Sequence, residues 1–174
     1  MARGGRISIV PFEMKYLDDY FNGFNAEITR FQWPDPFECM EDARSVLQAF
    51  LDEMERGETL LFAILSENGS FLGSVEVHGL TGECPEVGVW IAAPEQRKGY
   101  AWEALDAILD HVRSTYGKAE FYYEADIRNT GSMKLLRKLD GKYEITAHGC
   151  EKLTTDSGKD LELQGYTLKA KESR

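Results

Sequence analysis

The sequence has no apolar run that approaches the length of a membrane span, and no apolar segment follows its first residues, Met1 to Arg6. We therefore expect neither a transmembrane protein nor a signal peptide. Cysteine is scarce, since Cys39, Cys84 and Cys150 lie far apart and form no Cys-x-x-Cys pair. This spacing favours reduced thiols over disulfides or a zinc site, so a cytoplasmic protein is expected.

Positive charge is also in short supply. Asp and Glu number 30 against 20 Lys and Arg, which gives a formal net charge of −10. A general nucleic-acid-binding protein would carry a basic face, so we expect neither nucleic acid nor a membrane as a partner. The acidic balance either attracts a cationic acceptor such as an amine or serves solubility alone. The three histidines have no metal-ligand spacing, so no metal is expected.

What the chain does contain is a regular order of strands and helices within 174 residues, a length typical of one domain, here 1–174. The predicted strands cover 6–10, 59–65, 71–78, 86–92, 119–126, 142–150 and 161–169. The predicted helices cover 17–24, 43–54, 100–116 and 129–139. This order, β-α-α-β-β-β-α-β-α-β-β, predicts an α/β (α+β) fold whose mixed sheet has helices packed on it.

One segment organises the rest of the chain: a strand from Glu86, a turn, and a helix that begins at Tyr100. The turn reads Gln96-Arg97-Lys98-Gly99-Tyr100-Ala101. A helix N-terminus leaves backbone N–H groups free, and Gly99 permits a close approach or a positive φ. With the added charge of Arg97 and Lys98, the turn predicts a phosphate or pyrophosphate site. Alternatively, Gly99 is only a turn residue and the basic pair is solvated.

This segment resembles motif A of the GNAT superfamily, the acetyl-CoA-dependent N-acetyltransferases. Their pyrophosphate loop reads Gln/Arg-x-x-Gly-x-Gly/Ala, and Gln96 to Ala101 matches it at every fixed position. The resemblance extends over nearly the whole chain and is sharp from Glu86 to Gly141. Trp90 to Pro94 and Asp126 to Asn129 look most like the branch of ribosomal-protein N-terminal acetyltransferases, which also includes acetyltransferases of small amines. It implies a mostly antiparallel central sheet with helices on both faces.

The resemblance also implies acetyl-CoA as cosubstrate, bound where the strand before the loop splays away from the next strand. It places the pantetheine arm against Trp90, Ile91 and Ala92, and near the Asn129 amide unless Asn129 only caps a helix. A backbone N–H near Trp90 or Ile91 is expected to polarise the thioester oxygen. The pyrophosphate is expected on Gln96, Arg97, Lys98, Gly99, Tyr100 and Ala101.

The expected chemistry is an attack by an amine, which must first lose a proton to a carboxylate. Glu86 stands where the family carries such a carboxylate, although it could instead bind substrate charge or pair with a neighbouring strand. The tyrosine by which the family protonates the leaving thiolate falls at Leu136, so this sequence departs from the pattern. Ser132 either passes a proton to the thiolate or only packs against CoA.

Two groups of side chains are candidate acceptor contacts: Phe31, Trp33 and Phe37 between the first two helices, and Tyr122, Tyr123 and Glu124 on the strand facing the gap. Core packing is an equally good account of the three loop aromatics. Cys84 is expected to be a buried, inert thiol rather than a nucleophile that carries the acyl group.

The expected function is acetyl transfer from acetyl-CoA to a primary amine, either a small amine or a protein N-terminus, by direct attack in a ternary complex. The alternative is a CoA-binding regulatory module with weak or absent catalysis. An unrelated phosphate-binding domain fits less well, because the loop motif is complete and the element order agrees. A monomer or a homodimer is expected.

Overall fold

A computed structural model describes residues 2–4 and 6–171. The first residues, Met1 to Arg6, where no signal peptide is expected, are therefore described only in part. The described strands are β1 (Ala2–Gly4), β2 (Ile7–Pro11), β3 (Leu60–Ser66), β4 (Phe71–His78), β5 (Glu86–Ile91), β6 (Glu120–Asp126), β7 (Tyr143–Thr154) and β8 (Asp160–Ala170). The described α-helices are α1 (Leu17–Gly23), α2 (Met40–Glu55), α3 (Tyr100–Tyr116) and α4 (Thr130–Leu139). None of these helices is long and apolar enough to cross a membrane.

The strands form one sheet in the order β1-β2-β3-β4-β5-β6-β8-β7. Within it β5 and β6 are parallel neighbours, while the other pairs are antiparallel. The parallel pair meets at a single register position, Glu86 opposite Tyr122, where Tyr122 N donates to Pro85 O at 2.9 Å. Beyond this position the two strands diverge, so the sheet opens into a groove at its centre.

The two faces of the sheet carry separate apolar layers. α1 and α2 cover one face, where Leu17, Leu47 and Trp90 belong to the core. α3 and α4 cover the other face, where Leu105 and Val87 are buried. Successive side chains of a strand point to opposite faces, so β5 contributes to both layers at once. The face of a β5 residue therefore decides which side of the groove its side chain can reach.

The predicted fold class is confirmed: a mixed, mostly antiparallel sheet lies between helices on both faces. Helix α3 has the predicted bounds, and its ends are marked by Gly99 and Gly117, both with positive φ. The sequence missed β1 and made β7 too short, ending it at Cys150 instead of Thr154. The added part of β7 is exposed, so it shows no apolar alternation, and its pairing with β8 defines it.

Candidate active site

The groove between β5 and β6 has a volume of about 130 Å³. Its walls come from β4, β5, β6, the loop after α1 and the start of α4; among the lining residues are Phe31, Trp33, Glu76, Glu86, Trp90 and Ser132. The predicted splay of the two strands is thus present. Because the parallel pairing stops at Glu86, backbone groups further along β5 have no strand partner on the β6 side.

The backbone of β5 turns alternate residues toward the groove. Ala92 N donates to Leu72 O at 2.8 Å, and bonded positions alternate along an antiparallel pair. Trp90 therefore directs its N–H to β4, whereas Val89 and Ile91 direct theirs to the groove. This geometry favours Val89 and Ile91 as donors to a thioester oxygen and disfavours the N–H of Trp90. The indole of Trp90 is 5% exposed and packs under α1.

The turn before α3 has the shape of an anion site. Arg97 has a φ of 64° and Gly99 a φ of 93°, which turns neighbouring N–H groups to the same side. Within the described residues, the backbone N–H groups from Arg97 to Ala101 have no hydrogen-bond partner. Gln96 uses its side chain to donate from Nε2 to Ile91 O at 3.0 Å, so it ties the turn to β5. These features fit a bound pyrophosphate.

Arg6 is a residue of this site that the sequence analysis missed. It lies just before β2, and its guanidinium donates to Lys98 O at 2.7 Å and to the carboxylate of Glu103. It also lies 5.3 Å above the ring of Tyr100. Since 92 residues separate Arg6 from Lys98, no local motif could have revealed this contact. Arg6 holds the turn in place and adds a positive charge beside it.

We expect Arg6→Ala to raise KM for acetyl-CoA about tenfold, with kcat changed little, because a charge-assisted contact to the turn is lost. Steady-state kinetics with varied acetyl-CoA measures both constants. Arg56→Ala is the matched control, since Arg56 forms an exposed ion pair with Glu58 at the end of α2. An unchanged KM in Arg6→Ala would show that the turn keeps its shape without this contact.

Carboxylates line the face of the groove opposite α3 and α4. Glu86 is exposed at the mouth of the groove, and Glu124 accepts a hydrogen bond from the Tyr122 hydroxyl at 3.0 Å. Partial loss of water and the charge of Glu124 raise the pKa of Glu86, while His78 opposes this. Loss of water and the bond to Glu124 raise the pKa of Tyr122 to about 12. This side of the groove is suited to bind a cation.

Tyr123 lies on the other face from Glu86. It is 4% exposed and packs in the α3–α4 layer. Burial raises the pKa of its hydroxyl, and a hydrogen bond with Ser132 lowers that pKa by a smaller amount. Tyr123 and Glu124 both line the groove, and Glu124 shares the face of Glu86, so the role of each as an acceptor contact stays a prediction.

The start of α4 brings two predicted residues to the groove. Asn129 caps the helix, since its Oδ1 accepts from Ser132 N at 3.1 Å. The capping interpretation of Asn129 therefore holds, and a role of its amide nitrogen toward pantetheine stays a prediction. Ser132 lines the groove, whereas Leu136, at the position of the family's tyrosine, is buried in the core.

The predicted acceptor loop is held against the β7–β8 turn. Lys159 Nζ donates to Thr29 O at 2.8 Å and to Gln32 O at 2.9 Å, and it pairs with Asp35 at 3.0 Å. Loss of water raises the pKa of Asp35. Hydrogen bonds from Thr155, Lys159 and Ser157 outweigh this effect and hold the pKa below its usual range. The loop presents Trp33 at the groove with 64% of its surface exposed, so core packing does not account for Trp33.

We expect Lys159→Met to raise KM for the acceptor about tenfold and to leave KM for acetyl-CoA unchanged, because the loop loses its three contacts with Lys159 and keeps those with Ser157, while the turn before α3 is untouched. Lys152→Met on the same hairpin is the control, since its ion pair with Glu162 is exposed. Equal effects on both KM values would indicate general destabilisation instead.

The prediction for Cys84 is wrong in part. Cys84 is exposed and precedes β5, so it is neither buried nor on the strand. Partial desolvation and the nearby Glu120 raise the pKa of its thiol, which disfavours the thiolate. Among the described residues, no group of three or more His, Cys, Asp or Glu side chains is arranged to hold a metal ion.

Comparisons with known proteins agree with this geometry. Residues 6–142 match the family described as the acetyltransferase (GNAT) domain. No curated protein matches the chain. Among solved structures, spermidine N-acetyltransferase from Vibrio cholerae, in complex with CoA and spermine, has a TM-score of 0.78 at 16% identity and covers 94% of this chain and 96% of its own.

Two further structures come from the ribosomal-protein branch. RimL, a ribosomal L7/L12 alpha-N-protein acetyltransferase in complex with coenzyme A, has a TM-score of 0.81 at 16% identity, with 95% of each chain covered. RimJ from Mycobacterium smegmatis, in complex with CoA-disulfide, has a TM-score of 0.77 at 19% identity and covers 95% of this chain and 84% of its own. At these identities the likeness shows a shared fold.

Proposed function

The chain belongs to the GNAT acetyltransferase family, and we propose from this that its central groove is where an acetyl group passes from acetyl-CoA to a primary amine in a ternary complex. The observation that carries the proposal is that the splayed strands β5 and β6 lead directly to a turn with free backbone N–H groups. A carboxylate-lined wall lies across the same groove. One site thus has separate places for an anion and a cation.

The residues that fit acetyl-CoA lie on the turn and on β5. The turn from Gln96 to Ala101 suits the pyrophosphate, through its free N–H groups and the charges of Arg97 and Lys98. The backbone N–H groups of Val89 and Ile91 suit the thioester oxygen. The Asn129 amide suits the pantetheine arm. Bound acetyl-CoA supplies an acetyl group activated as a thioester.

The chain's own residues manage the protons. Alkyl amines are protonated at neutral pH, so the ammonium must lose a proton before it can attack. We assign this step to Glu86, which also binds the incoming cation at the groove mouth. Because Glu86 is an exposed residue whose carboxylate is only partly desolvated, it returns the proton to water directly. Ser132, at the inner end of the groove, stands where it can pass a proton to the departing sulfur or bond to CoA.

The acceptor class follows from the groove wall. Glu76, Glu86 and Glu124 attract a cation, and the exposed Trp33 offers an aromatic face to it. Two of the structural neighbours named above act on spermidine and on the N-terminus of a ribosomal protein, both of which present a primary amine. We propose a cationic amine as acceptor, either a small amine or a protein N-terminus.

The proposed setting is the cytoplasm, since Cys39, Cys84 and Cys150 are all unpaired. The chain is proposed to act as a single domain, 1–174, in a monomer or homodimer.

The test is turnover by the purified chain. Acetyl-CoA is mixed with a panel of mono-, di- and polyamines and with short peptides that have free N-termini, and release of the CoA thiol is followed. Saturable turnover of any amine supports the proposal. Acetyl-CoA binding without turnover of any amine would overturn it in favour of the regulatory module, for which the absence of a tyrosine at Leu136 is the argument.

A further inference from the structure

A second carboxylate, Glu76 of β4, lies deeper in the groove than Glu86. Glu76 is the register partner of Gly88, and its side chain extends across that residue. A Cβ placed on Gly88 would lie 3.2 Å from Glu76 Oε1, a tight contact, so the glycine leaves room for the carboxylate beside β5. Gly88 is two residues beyond Glu86, about 6.6 Å along the strand. Glu76 is therefore the carboxylate level with the inward-facing N–H of Val89.

Glu76 Oε2 is buried at this depth and forms no hydrogen bond with another described residue. Trp90 beside it on the groove is 5% exposed, and the ring of Tyr20 packs edge-on against its indole, at 5.0 Å between centroids. Buried polar groups are nearly always paired, so the carboxylate of Glu76 is suited to accept from one further donor. A carboxylate oxygen in such a place suits a nitrogen that carries protons.

A series of polar side chains extends from Glu76 away from the groove. His78 Nε2 lies 3.5 Å from Glu76 Oε2, outside hydrogen-bond alignment, and His78 Nδ1 lies 3.5 Å from Thr59 Oγ1. Thr59 in turn donates to Glu53 of α2 at 2.7 Å. About a third of the His78 side chain is exposed, which connects the chain to water.

The charged groups that face His78 are carboxylates from three elements. They are Glu53 of α2, Glu76 of β4 and Glu86 of β5, while Thr59, just before β3, and the ring of Phe50 complete its surroundings. Burial lowers the pKa of His78, but the neighbouring carboxylates outweigh it, so the net shift is upward. A histidine placed between carboxylates and water is suited to accept a proton and to release it to water.

The reaction releases two protons from nitrogen. An ammonium loses one before attack and a second as the N–C bond of the amide forms and the C–S bond breaks. The sulfur takes up one proton, so one is released to solvent overall. The exposed Glu86 accounts for the first proton. The second is lost beside the thioester, which the N–H groups of Val89 and Ile91 would hold further along β5 than Glu86 and level with Glu76.

We propose that Glu76 is a catalytic residue that takes this second proton, and that His78 carries it from Glu76 to water. This inference rests on the proposed acetyl transfer. It makes the two glutamates unequal: Glu86 acts on the free ammonium, whereas Glu76 acts only once the bond to the acetyl carbon is forming. Their loss therefore has different consequences as pH rises.

The experiment compares Glu76→Gln, Glu86→Gln and His78→Gln with the parent protein, on one amine that the parent acetylates. Glu144→Gln and His111→Gln, both outside the groove, are the matched controls. Acetyl-CoA affinity is measured by calorimetry for each protein, and kcat is measured from pH 6 to pH 10 with and without added imidazole.

We expect Glu76→Gln to lower kcat about 10²-fold across the whole pH range, with acetyl-CoA affinity unchanged. His78→Gln lowers kcat about tenfold, and imidazole restores most of the loss because His78 is within reach of solvent. A Glu76→Gln variant with the parent's kcat, or one that recovers at high pH as Glu86→Gln does, would refute the inference alone. A parent protein that acetylates no amine would instead remove the proposed function.

Discussion

Gly99→Glu is expected to abolish acetyl-CoA binding, with the Kd raised more than about 100-fold. Gly99 has a φ of 93°, which costs an L-residue about 1–2 kcal/mol. The new carboxylate would stand among the free N–H groups of the turn, where it takes the place of the pyrophosphate and repels it. A Cβ at this position also lies 3.1 Å from Arg6 Nη2, so the added charge draws Arg6 away from Lys98. Calorimetric titration with acetyl-CoA measures the effect.

Gly117→Glu provides the matched control. Gly117 has a φ of 69° at the other end of α3, and a Cβ there would meet no atom within 4 Å. This variant introduces the same charge and a similar backbone strain away from the turn, so it is expected to lose stability but keep its affinity. If Gly99→Glu bound acetyl-CoA as tightly as the parent, the turn from Gln96 to Ala101 would not be the cofactor site.

Glu86→Gln is expected to lower kcat/KM about 10²- to 10⁴-fold at pH 7 and much less at pH 10, where the amine is largely neutral without help. The direction of the pH dependence follows from the ionisation of Glu86 and from that of the amine. In the parent, Glu86 must be ionised to take a proton, and since its pKa is raised, activity falls as the pH drops through that pKa. The activity of Glu86→Gln lacks this fall at low pH that is due to Glu86, and its pH dependence follows the ionisation of the amine alone.

The measurement is the pH profile of kcat/KM with a saturating concentration of acetyl-CoA. Glu83→Gln, in the exposed turn before β5, controls for the loss of one negative charge near the groove. A Glu86→Gln profile parallel to that of the parent would remove Glu86 as the base and leave it as a residue that binds the acceptor.

The two sides of the groove explain how one sheet serves two substrates. The α3–α4 side carries the turn, Arg6 and Ser132, which suit an anionic cosubstrate. The other side carries the glutamates and Trp33, which suit a cation. The strands β5 and β6 separate only beyond Glu86, and we propose that the substrates meet there, where the backbone itself can donate hydrogen bonds.

Local pattern was sufficient for much of this protein. Helix α3, the hairpin between β3 and β4, and the glycines that end α3 follow from periodicity and turn chemistry. The turn from Gln96 to Ala101 could be recognised for the same reason, since its residues are contiguous and each has a local role. Membership of the family and the class of cosubstrate followed from this short stretch together with the order of elements.

The tertiary structure alone decided which side chains meet. Arg6 reaches Lys98 across 92 residues, Lys159 holds a loop 130 residues away at Thr29, and the carboxylate of Glu76 lies beside Gly88 of the next strand. The face of the sheet on which the side chains of Tyr123 and Trp90 lie depends on the register of their strands in the sheet. The sequence by itself determined the elements and the cofactor turn, because those depend on neighbours along the chain. The arrangement of carboxylates and their separate depths depends on strand register, which long-range pairing sets.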